Sequence, residues 1–209
     1  MRKVSVTFLS STDVVRDLKL LDMTDTDYVH VDVMDGKFVP NKTMPFSEIK
    51  NIGKYTSKRL DIHLMVEDPS KYIPLYASLN AEYITFHVEV DEDIEESLKM
   101  IRNYSIKAGL AIKPETKISE LVPYLPYLDL VLVMSVEPGA GGQKFIESTE
   151  DKINELRELL DTYHSQAVIN VDGGINDVTC KKCYNADIVA SGSYVVRSDN
   201  FQEKISSLR

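Results

Sequence analysis

The chain has 209 residues, of which 43% are hydrophobic, and this is enough for one domain with a sizeable core. Its formal net charge of -9 argues against a protein that binds nucleic acid or an anionic membrane surface through a general basic field. No run of 18 apolar residues and no signal-peptide pattern is present, so the composition predicts a cytoplasmic protein. An anionic small molecule can still bind at a local site.

Short β-rich runs recur along the whole chain and alternate with segments of helical character. Eight runs can be counted, and they begin at Val4, Tyr28, Arg59, Tyr83, Ile106, Leu128, Ala167 and Ala186. Between them, Asp93 to Tyr104 and Ser148 to Tyr163 carry apolar residues three and four apart, the spacing of amphipathic helices. Eight strands that each precede a helix predict a single α/β domain over residues 1–209, a closed (β/α)8 TIM barrel. An open doubly wound sheet is the alternative, because alternation alone does not demonstrate closure.

The second run, YVHVDVM, places ionisable residues in an otherwise apolar strand. Side chains alternate along a strand, so His30, Asp32 and Met34 share one face while the three valines share the other. Burying a histidine and a carboxylate is unfavourable unless a metal, a hydrogen-bond network or a substrate satisfies them. This strand therefore marks a candidate functional site.

Further polar residues lie at the predicted carboxyl ends of other strands, where parallel α/β folds gather their ligands. His63 ends the third strand, His87 the fourth and Asp172 the seventh. A barrel brings strand ends around one axis, so residues distant in sequence can form a divalent-metal site with nitrogen and oxygen ligands. The candidate set is His30, Asp32, His63 and Asp172. A buried hydrogen-bond network is the alternative.

Glycine-rich segments follow the last three predicted strands, and they read EPGAGGQKF, DGGIN and SGS. Glycine lets backbone amides approach an anion closely, and a following helix N-terminus adds unpaired N–H donors. The last loops of such a barrel are a recurrent phosphate site. Amides and a metal would give this acidic protein the local positive potential that an anionic substrate needs.

Two cysteines, Cys180 and Cys183, have the spacing of a redox or metal motif. Their segment, TCKKCYN, has helical character, and a second pair of metal-ligating cysteines is missing from the chain. We therefore expect two ordinary reduced thiols.

The ordered motifs of the chain resemble those of the ribulose-phosphate 3-epimerase family. They are HVDVMDGKFVPN, DIHLMVEDP, ITFHVE, GLAIKPET, VLVMSVEPGAGGQKF and VDGGIN, and the resemblance covers nearly the whole chain. It implies a TIM barrel that interconverts D-ribulose 5-phosphate and D-xylulose 5-phosphate with one divalent metal ion: zinc, iron, manganese or cobalt. The partner that it implies is a small phosphorylated sugar, and family members are commonly homo-oligomers.

The resemblance also implies roles for individual residues. The implied metal ligands are His30, Asp32, His63 and Asp172, and the implied acid/base pair is Asp32 and Asp172. The implied substrate and phosphate contacts are Thr7, His63, Gly141, Gly142, Gln143, Lys144, Gly173, Gly174, Gly192 and Ser193. The implied methionines near the reacting carbons are Met34, Met65 and Met134. For these methionines, soft core packing is the alternative.

Three departures from the family pattern concern the fit of the substrate. Thr7 stands where a serine is usual, and Ala140 replaces a phenylalanine in the loop after the sixth strand. The segment Thr43-Met44-Pro45-Phe46 differs from a form that usually contains glycine. None of these positions belongs to the implied metal ligands or acid/base pair, so the departures bear on the sugar more than on the reaction.

Inversion at C3 requires removal of a proton from one face and return of a proton to the other, which suits two carboxylates on opposite sides. A metal would stabilise the intermediate enediolate as a Lewis acid. Three alternatives remain open at this point. They are an epimerase for a six-carbon ketose phosphate such as D-allulose 6-phosphate, a metal-dependent aldolase, decarboxylase or hydrolase, and a catalytically silent phosphosugar-binding protein.

Overall fold

Eight parallel strands close into a barrel, in which each strand pairs with the next and the last pairs with the first. The structure is a computed structural model that describes residues 1–209. The strands are β1 (Lys3–Thr7), β2 (Tyr28–Met34), β3 (Arg59–Met65), β4 (Ala81–His87), β5 (Lys107–Ile112), β6 (Leu130–Met134), β7 (Val168–Asp172) and β8 (Ile188–Ser191). All eight predicted strands are present, and their closure confirms the (β/α)8 barrel over the open sheet.

Helices connect the strands. The α-helices are α1 (Val14–Asp22), α2 (Phe46–Ile49), α3 (Pro69–Ala77), α4 (Ile94–Asn103), α5 (Thr149–Thr162), α6 (Ser193–Val196) and α7 (Phe201–Ser207). The connections after β5 and β7 contain 3-10 helices instead, over Ile118–Tyr127 and Thr179–Cys183, and a further 3-10 helix covers Ile52–Lys54. Pro123 and Pro126 explain the first of these differences, because proline lacks the N–H that an α-helical ladder requires. Every helix falls short of the length and apolar character needed to cross a membrane.

The boundaries of α4 follow from its sequence. The side chain of Asp93 accepts a hydrogen bond from the backbone N–H of Glu96 and so caps the helix N-terminus. Glu95 and Glu96 place negative charge in the first turn, where the helix dipole favours it. On the other face, Leu98 and Ile101 are fully buried. The helix therefore forms where the apolar spacing predicted it.

Alternation along the strands divides the interior into two layers of different character. The valines of β2 point outward and join the large apolar core beneath the helices. At the amino-terminal end of the barrel, Tyr28 packs edge to face against Tyr83 with ring centroids 5.7 Å apart, and the amino groups of Lys3 and Lys107 lie over these two rings. The ionisable residues of β2, His30 and Asp32, come later along the same inward face. Alternation therefore brings these two side chains toward the carboxyl ends of the strands, which we call the C-terminal rim.

The two cysteines lie in the 3-10 helix Thr179–Cys183 and form no disulfide. Both side chains are buried, and burial raises the pKa of both thiols, that of Cys183 to about 12. The guanidinium of Arg2 donates hydrogen bonds of 2.7 and 2.9 Å to the carbonyls of Cys180 and Cys183. The segment is thus an ordinary structural turn with two free thiols, in agreement with the sequence.

Candidate active site

Four ionisable side chains from β2, β3 and β7 meet near the C-terminal rim, and we call them the central cluster. They are His30, Asp32, His63 and Asp172, and one nitrogen or oxygen atom from each lies within 4.8 Å of those of the others. Pairing of β2 with β3 sets Asp32 opposite His63. The two histidines lie within their strands and not at the predicted ends, because the β2–β3 ladder continues as far as Met34 and Met65.

The interior of the central cluster has the donor atoms and spacing of a cation site. His30 Nε2 and His63 Nδ1 are buried and have no hydrogen-bond partner. Asp32 Oδ1 lies 3.4 Å from each of these nitrogens, and Asp172 Oδ2 lies 3.9 Å from the first and 4.0 Å from the second. Tetrahedral ligands about 2.1 Å from a zinc-like ion are roughly 3.4 Å apart. The four residues therefore fit a single divalent cation.

Asp61 holds His30 in place from the inner side of the cluster. Its Oδ2 accepts hydrogen bonds from His30 Nδ1 at 2.8 Å, from Ser5 Oγ at 2.9 Å and from Asn170 Nδ2 at 3.0 Å. A carboxylate that binds one imidazole nitrogen fixes the ring and leaves the other nitrogen for a metal. Asp61 is not among the residues predicted from the sequence, although its position two residues before His63 on the same strand face is a usable signal.

His63 is held by a different group of residues. Its Nε2 lies 2.9 Å from His87 Nε2, and His87 Nδ1 lies 2.9 Å from Glu89 Oε2. The other oxygen of Glu89 accepts hydrogen bonds from the backbone N–H of Lys113, at 2.8 Å, and from the hydroxyl of Thr116. His87 therefore lies behind His63, outside the central cluster.

Burial and neighbouring charges move the pKa values of the two cluster carboxyl groups in opposite directions. Burial raises the pKa of Asp172 to about 6. Burial would also raise the pKa of Asp32, but His30 and His63 hold it below its ordinary value. Burial opposes a charge on His30 as well, yet Asp61 and Asp32 raise its pKa well above the usual value. Opposed pKa shifts in a carboxyl pair are typical of acid and base roles.

A cavity of about 400 Å³ opens over the central cluster. Asp32 and Asp172 line it, and so do Met34, Met65 and Met134, the methionines expected near the reacting carbons. Each methionine is at most 5% exposed, so together they form a soft apolar wall. The cavity is large enough for a small phosphorylated sugar.

The three glycine-rich loops that follow β6, β7 and β8 line the same cavity. The predicted phosphate contacts among its lining residues are Gly141, Gly142, Gln143, Gly173, Gly174, Gly192 and Ser193. Gly142 and Gly174 have φ values of +75° and +63°, in the left-handed region that favours glycine. A Cβ atom on Gly174 would lie only 2.5 Å from the backbone nitrogen of Phe145, so this position has no room for another residue.

The cations near these loops differ from the prediction. Lys144 is exposed and does not line the cavity. Arg197, which follows α6 directly, is the one lysine or arginine among the residues that line the cavity. Arg197 is not among the residues predicted from the sequence, because a single arginine beyond the SGS motif carries no signal until the fold brings it to the cavity.

Thr7 lines the cavity and also anchors a member of the central cluster. Its hydroxyl donates a hydrogen bond of 2.6 Å to Asp32 Oδ2, which leaves Oδ1 facing the histidine nitrogens. The Thr43 hydroxyl accepts a hydrogen bond of 3.0 Å from the backbone N–H of Met34 and so fastens the end of β2. Ala140 lies in the cavity wall and is exposed.

A closed parallel barrel with its ionisable residues and a cavity at the C-terminal rim defines the class of TIM-barrel enzymes. Among solved structures, KGPDC from Streptococcus mutans matches with a TM-score of 0.74, over 99% of this chain and 95% of that chain. The two sequences are only 11% identical, so this match concerns the fold alone.

Sequence comparison gives the family. The model of the ribulose-phosphate 3 epimerase family matches residues 3–196. The ribulose-phosphate 3-epimerase of Helicobacter pylori is 35% identical over 209 residues, covering 99% of this chain and 96% of that relative. The enzyme of the same name from Bacillus subtilis is 34% identical and is covered to 99%, with all of this chain aligned. The chain therefore belongs to the ribulose-phosphate 3-epimerase family and is an enzyme of the epimerase class.

Proposed function

We propose that this enzyme interconverts D-ribulose 5-phosphate and D-xylulose 5-phosphate by inverting the configuration at C3. The observation that carries the proposal is the carboxyl pair of buried Asp32 and partly buried Asp172, in a cluster that fits a cation below a cavity edged by glycine-rich loops. Family membership supports the choice of substrate, because the curated relatives bear the name of this activity.

The cluster would hold one divalent ion: zinc, iron, manganese or cobalt, all of which accept mixed imidazole and carboxylate ligands. His30 would bind through Nε2 and His63 through Nδ1, since these atoms have no protein partner. Asp32 Oδ1 and Asp172 Oδ2 would complete the set. When bound, the ion supplies Lewis-acid stabilisation for the negative charge that develops on the sugar oxygens.

Asp32 and Asp172 would carry the proton. They belong to β2 and β7, which β1 and β8 separate on the shorter path around the barrel. This placement supports an approach to C3 from opposite sides, as inversion requires. In one direction ionised Asp32 takes the C3 proton and protonated Asp172 returns one to the other face, and the roles exchange in reverse. Because the groups are coupled, the pH profile of turnover would belong to the pair.

The glycine-rich loops would bind the phosphate group through backbone amides, which can approach an anion closely where no Cβ intervenes. We assign to this cradle Gly141, Gly142, Gly173, Gly174, Gly192 and Ser193. Gln143 would support it indirectly, because its side-chain nitrogen donates to the carbonyls of Glu137 and Ala140 and ties the loop together. Arg197 replaces Lys144 in our assignment of the cation, since Arg197 is among the residues that line the cavity and Lys144 is not.

A six-carbon ketose phosphate such as D-allulose 6-phosphate is the second candidate substrate. Ala140 favours it, because a methyl group in the cavity wall leaves more room than the phenylalanine usual at this position in the family. Assembly into a homo-oligomer, the absence of a nucleic-acid partner and a cytoplasmic location remain predictions of the sequence.

Deuterium exchange tests the function directly. Metal-loaded protein is incubated with D-ribulose 5-phosphate in deuterated water, and NMR follows the label at C3 and the formation of D-xylulose 5-phosphate. We expect both with the wild-type chain and little or no D-xylulose 5-phosphate with Asp32→Asn or Asp172→Asn. Label at C3 without product in one of these variants would identify the remaining carboxylate as the base that faces the C3 hydrogen. Binding without exchange would favour a silent phosphosugar-binding protein, and faster turnover of D-allulose 6-phosphate would favour the second substrate.

A further inference from the structure

We propose that Glu89 and His87 are positioning residues that set which nitrogen of His63 carries the hydrogen, and thereby make His63 Nδ1 available to a metal ion. This inference rests on the metal site proposed above. Neither residue lines the cavity or belongs to the central cluster, so both act only through His63.

The two hydrogen bonds between these three side chains form a chain with a direction. His63 Nε2 and His87 Nε2 are 2.9 Å apart, so one of them must donate and the other must accept. At the other ring nitrogen of His87, Glu89 Oε2 is 2.9 Å away. An ionised carboxylate only accepts, and His87 must therefore donate from Nδ1. The Nε2 atom of His87 is then the acceptor, His63 donates from Nε2, and the lone pair of His63 lies on Nδ1.

That lone pair lies where the central cluster needs it. His63 Nδ1 is buried without a hydrogen-bond partner and is 3.4 Å from Asp32 Oδ1. The opposite tautomer would place an N–H at this point and block metal coordination. At His30 a carboxylate fixes the tautomer directly, because Asp61 Oδ2 lies 2.8 Å from Nδ1 of the His30 ring and leaves Nε2 available to a metal. Glu89 performs the corresponding task one imidazole further away.

The surroundings of Glu89 fix the donor-to-acceptor direction of the hydrogen bonds that link His63, His87 and Glu89. A single isosteric substitution at Glu89 should reverse that direction. Its Oε1 accepts from the backbone N–H of Lys113 and from the hydroxyl of Thr116, so an amide at this position would place its carbonyl oxygen there. In Glu89→Gln the NH2 group would consequently face His87 Nδ1 and donate to it. His87 would then donate from Nε2 to His63, and His63 would carry its hydrogen on Nδ1.

The tautomers can be read by NMR of the full chain with 15N-labelled histidine, stripped of metal, through two-bond couplings in the imidazole rings. We expect hydrogen on Nε2 of His63 in the wild type and on Nδ1 in Glu89→Gln. Hydrogen on Nδ1 in the wild type, or the same tautomer in both proteins, would overturn the inference. This measurement needs no enzyme activity, so it stands apart from a failure of the proposed function.

Metal affinity provides the second readout, measured by competition between the protein and a chelator for zinc or cobalt(II). Loss of an orienting partner behind a metal ligand typically weakens binding about 10- to 100-fold, and we expect this range for Glu89→Gln. The matched control is Glu92→Gln, the same substitution in the same loop at a carboxylate that accepts from Ser70 and does not contact His63 or His87. Equal affinity in Glu89→Gln and the control would overturn the inference.

A double variant separates action through His87 from a general loss of structure. In His87→Gln the side-chain carbonyl of the glutamine can accept the hydrogen bond from His63 Nε2 whatever residue stands at position 89. The tautomer of His63 then no longer depends on Glu89. Adding Glu89→Gln to the His87→Gln variant should therefore change metal affinity less than twofold. The same substitution in the wild-type protein should weaken metal binding tenfold or more. Additive losses would contradict the chain and indicate that Glu89 acts by another route.

Discussion

The two sides of the cavity are built in opposite ways. The central cluster consists of side chains on strands, three of them buried, and hydrogen bonds hold His30 to Asp61, His63 to His87 and Asp32 to Thr7. The glycine-rich loops present mainly backbone, and Gly141 and Gly142 are exposed. Barrel strands fix groups to the accuracy that proton transfer requires, whereas loops provide a cradle that binds through many small contacts. Changes in the cluster should therefore reduce turnover, and changes at the loops should mainly weaken binding.

The largest effect is expected for Asp172→Asn, which removes one of the two proton-transfer groups. Loss of a general acid or base typically lowers turnover about 100- to 10,000-fold, and KM for the sugar phosphate should change much less. The control is Asp177→Asn, which removes the same charge from an exposed position beyond the β7 loop. Steady-state kinetics and circular dichroism measure the outcome. A folded, metal-loaded Asp172→Asn variant with turnover within tenfold of wild type would contradict the division of roles.

Asp61→Asn should have the next largest effect, and it should appear in metal affinity. An amide oxygen at this position is neutral and accepts the hydrogen bonds from His30, Ser5 and Asn170 more weakly than a carboxylate oxygen, and the new NH2 group gains no acceptor from these three partners. We expect metal binding about 10- to 100-fold weaker, because His30 loses its anchor. Unfolding of the metal-free protein should become easier by about 1–3 kcal/mol, the usual effect of an unsatisfied buried polar group. Chelator competition and urea unfolding test these two effects, and unchanged values in both would assign Asp61 no orienting role.

The contrast between barrel strands and glycine-rich loops also explains which parts of the fold and of the candidate site can be predicted from the sequence. The alternation of apolar and polar residues in β2 and β3 predicts which face is inward, and closure of the barrel then brings His30, Asp32, His63 and Asp172 together. The supports of these residues are harder to predict, because the contact of Glu89 with Lys113 and Thr116 depends on how two neighbouring loops fold.

The loops are less predictable still. The sequence indicates Lys144, which belongs to the motif EPGAGGQKF, and gives no signal for Arg197. Only the path of the backbone decides that Arg197 lines the cavity and that Lys144 does not. Glycine content predicts that a loop approaches a ligand, but it does not predict which flanking side chain accompanies it.

Arg197→Gln tests the loop side of the comparison and should have a smaller effect than either cluster variant. Exposed charge pairs contribute up to about 1 kcal/mol, so KM for the sugar phosphate should rise by at most about fivefold. Turnover at saturation should stay close to wild type, and added salt should narrow the difference, because the contact is electrostatic. Lys144→Gln is the matched control and should leave KM unchanged. Equal effects of the two variants would mean that general charge, not a contact in the cavity, attracts the substrate.

The smallest effect is expected at Cys180 and Cys183, which lie outside the cavity wall. Burial raises the pKa of Cys183 from an ordinary value of 9 to about 12, so the folded state retains the thiol proton that the unfolded chain would release. This contribution to stability is complete below pH 9 and is lost as the pH rises from 9 toward 12. Cys183→Ser should therefore leave turnover and metal affinity unchanged, and the native thiols should resist a thiol reagent at about pH 8 until urea unfolds the chain. Rapid labelling of the folded protein, or a loss of bound metal in the serine variant, would contradict this prediction and indicate a functional role for the two cysteines.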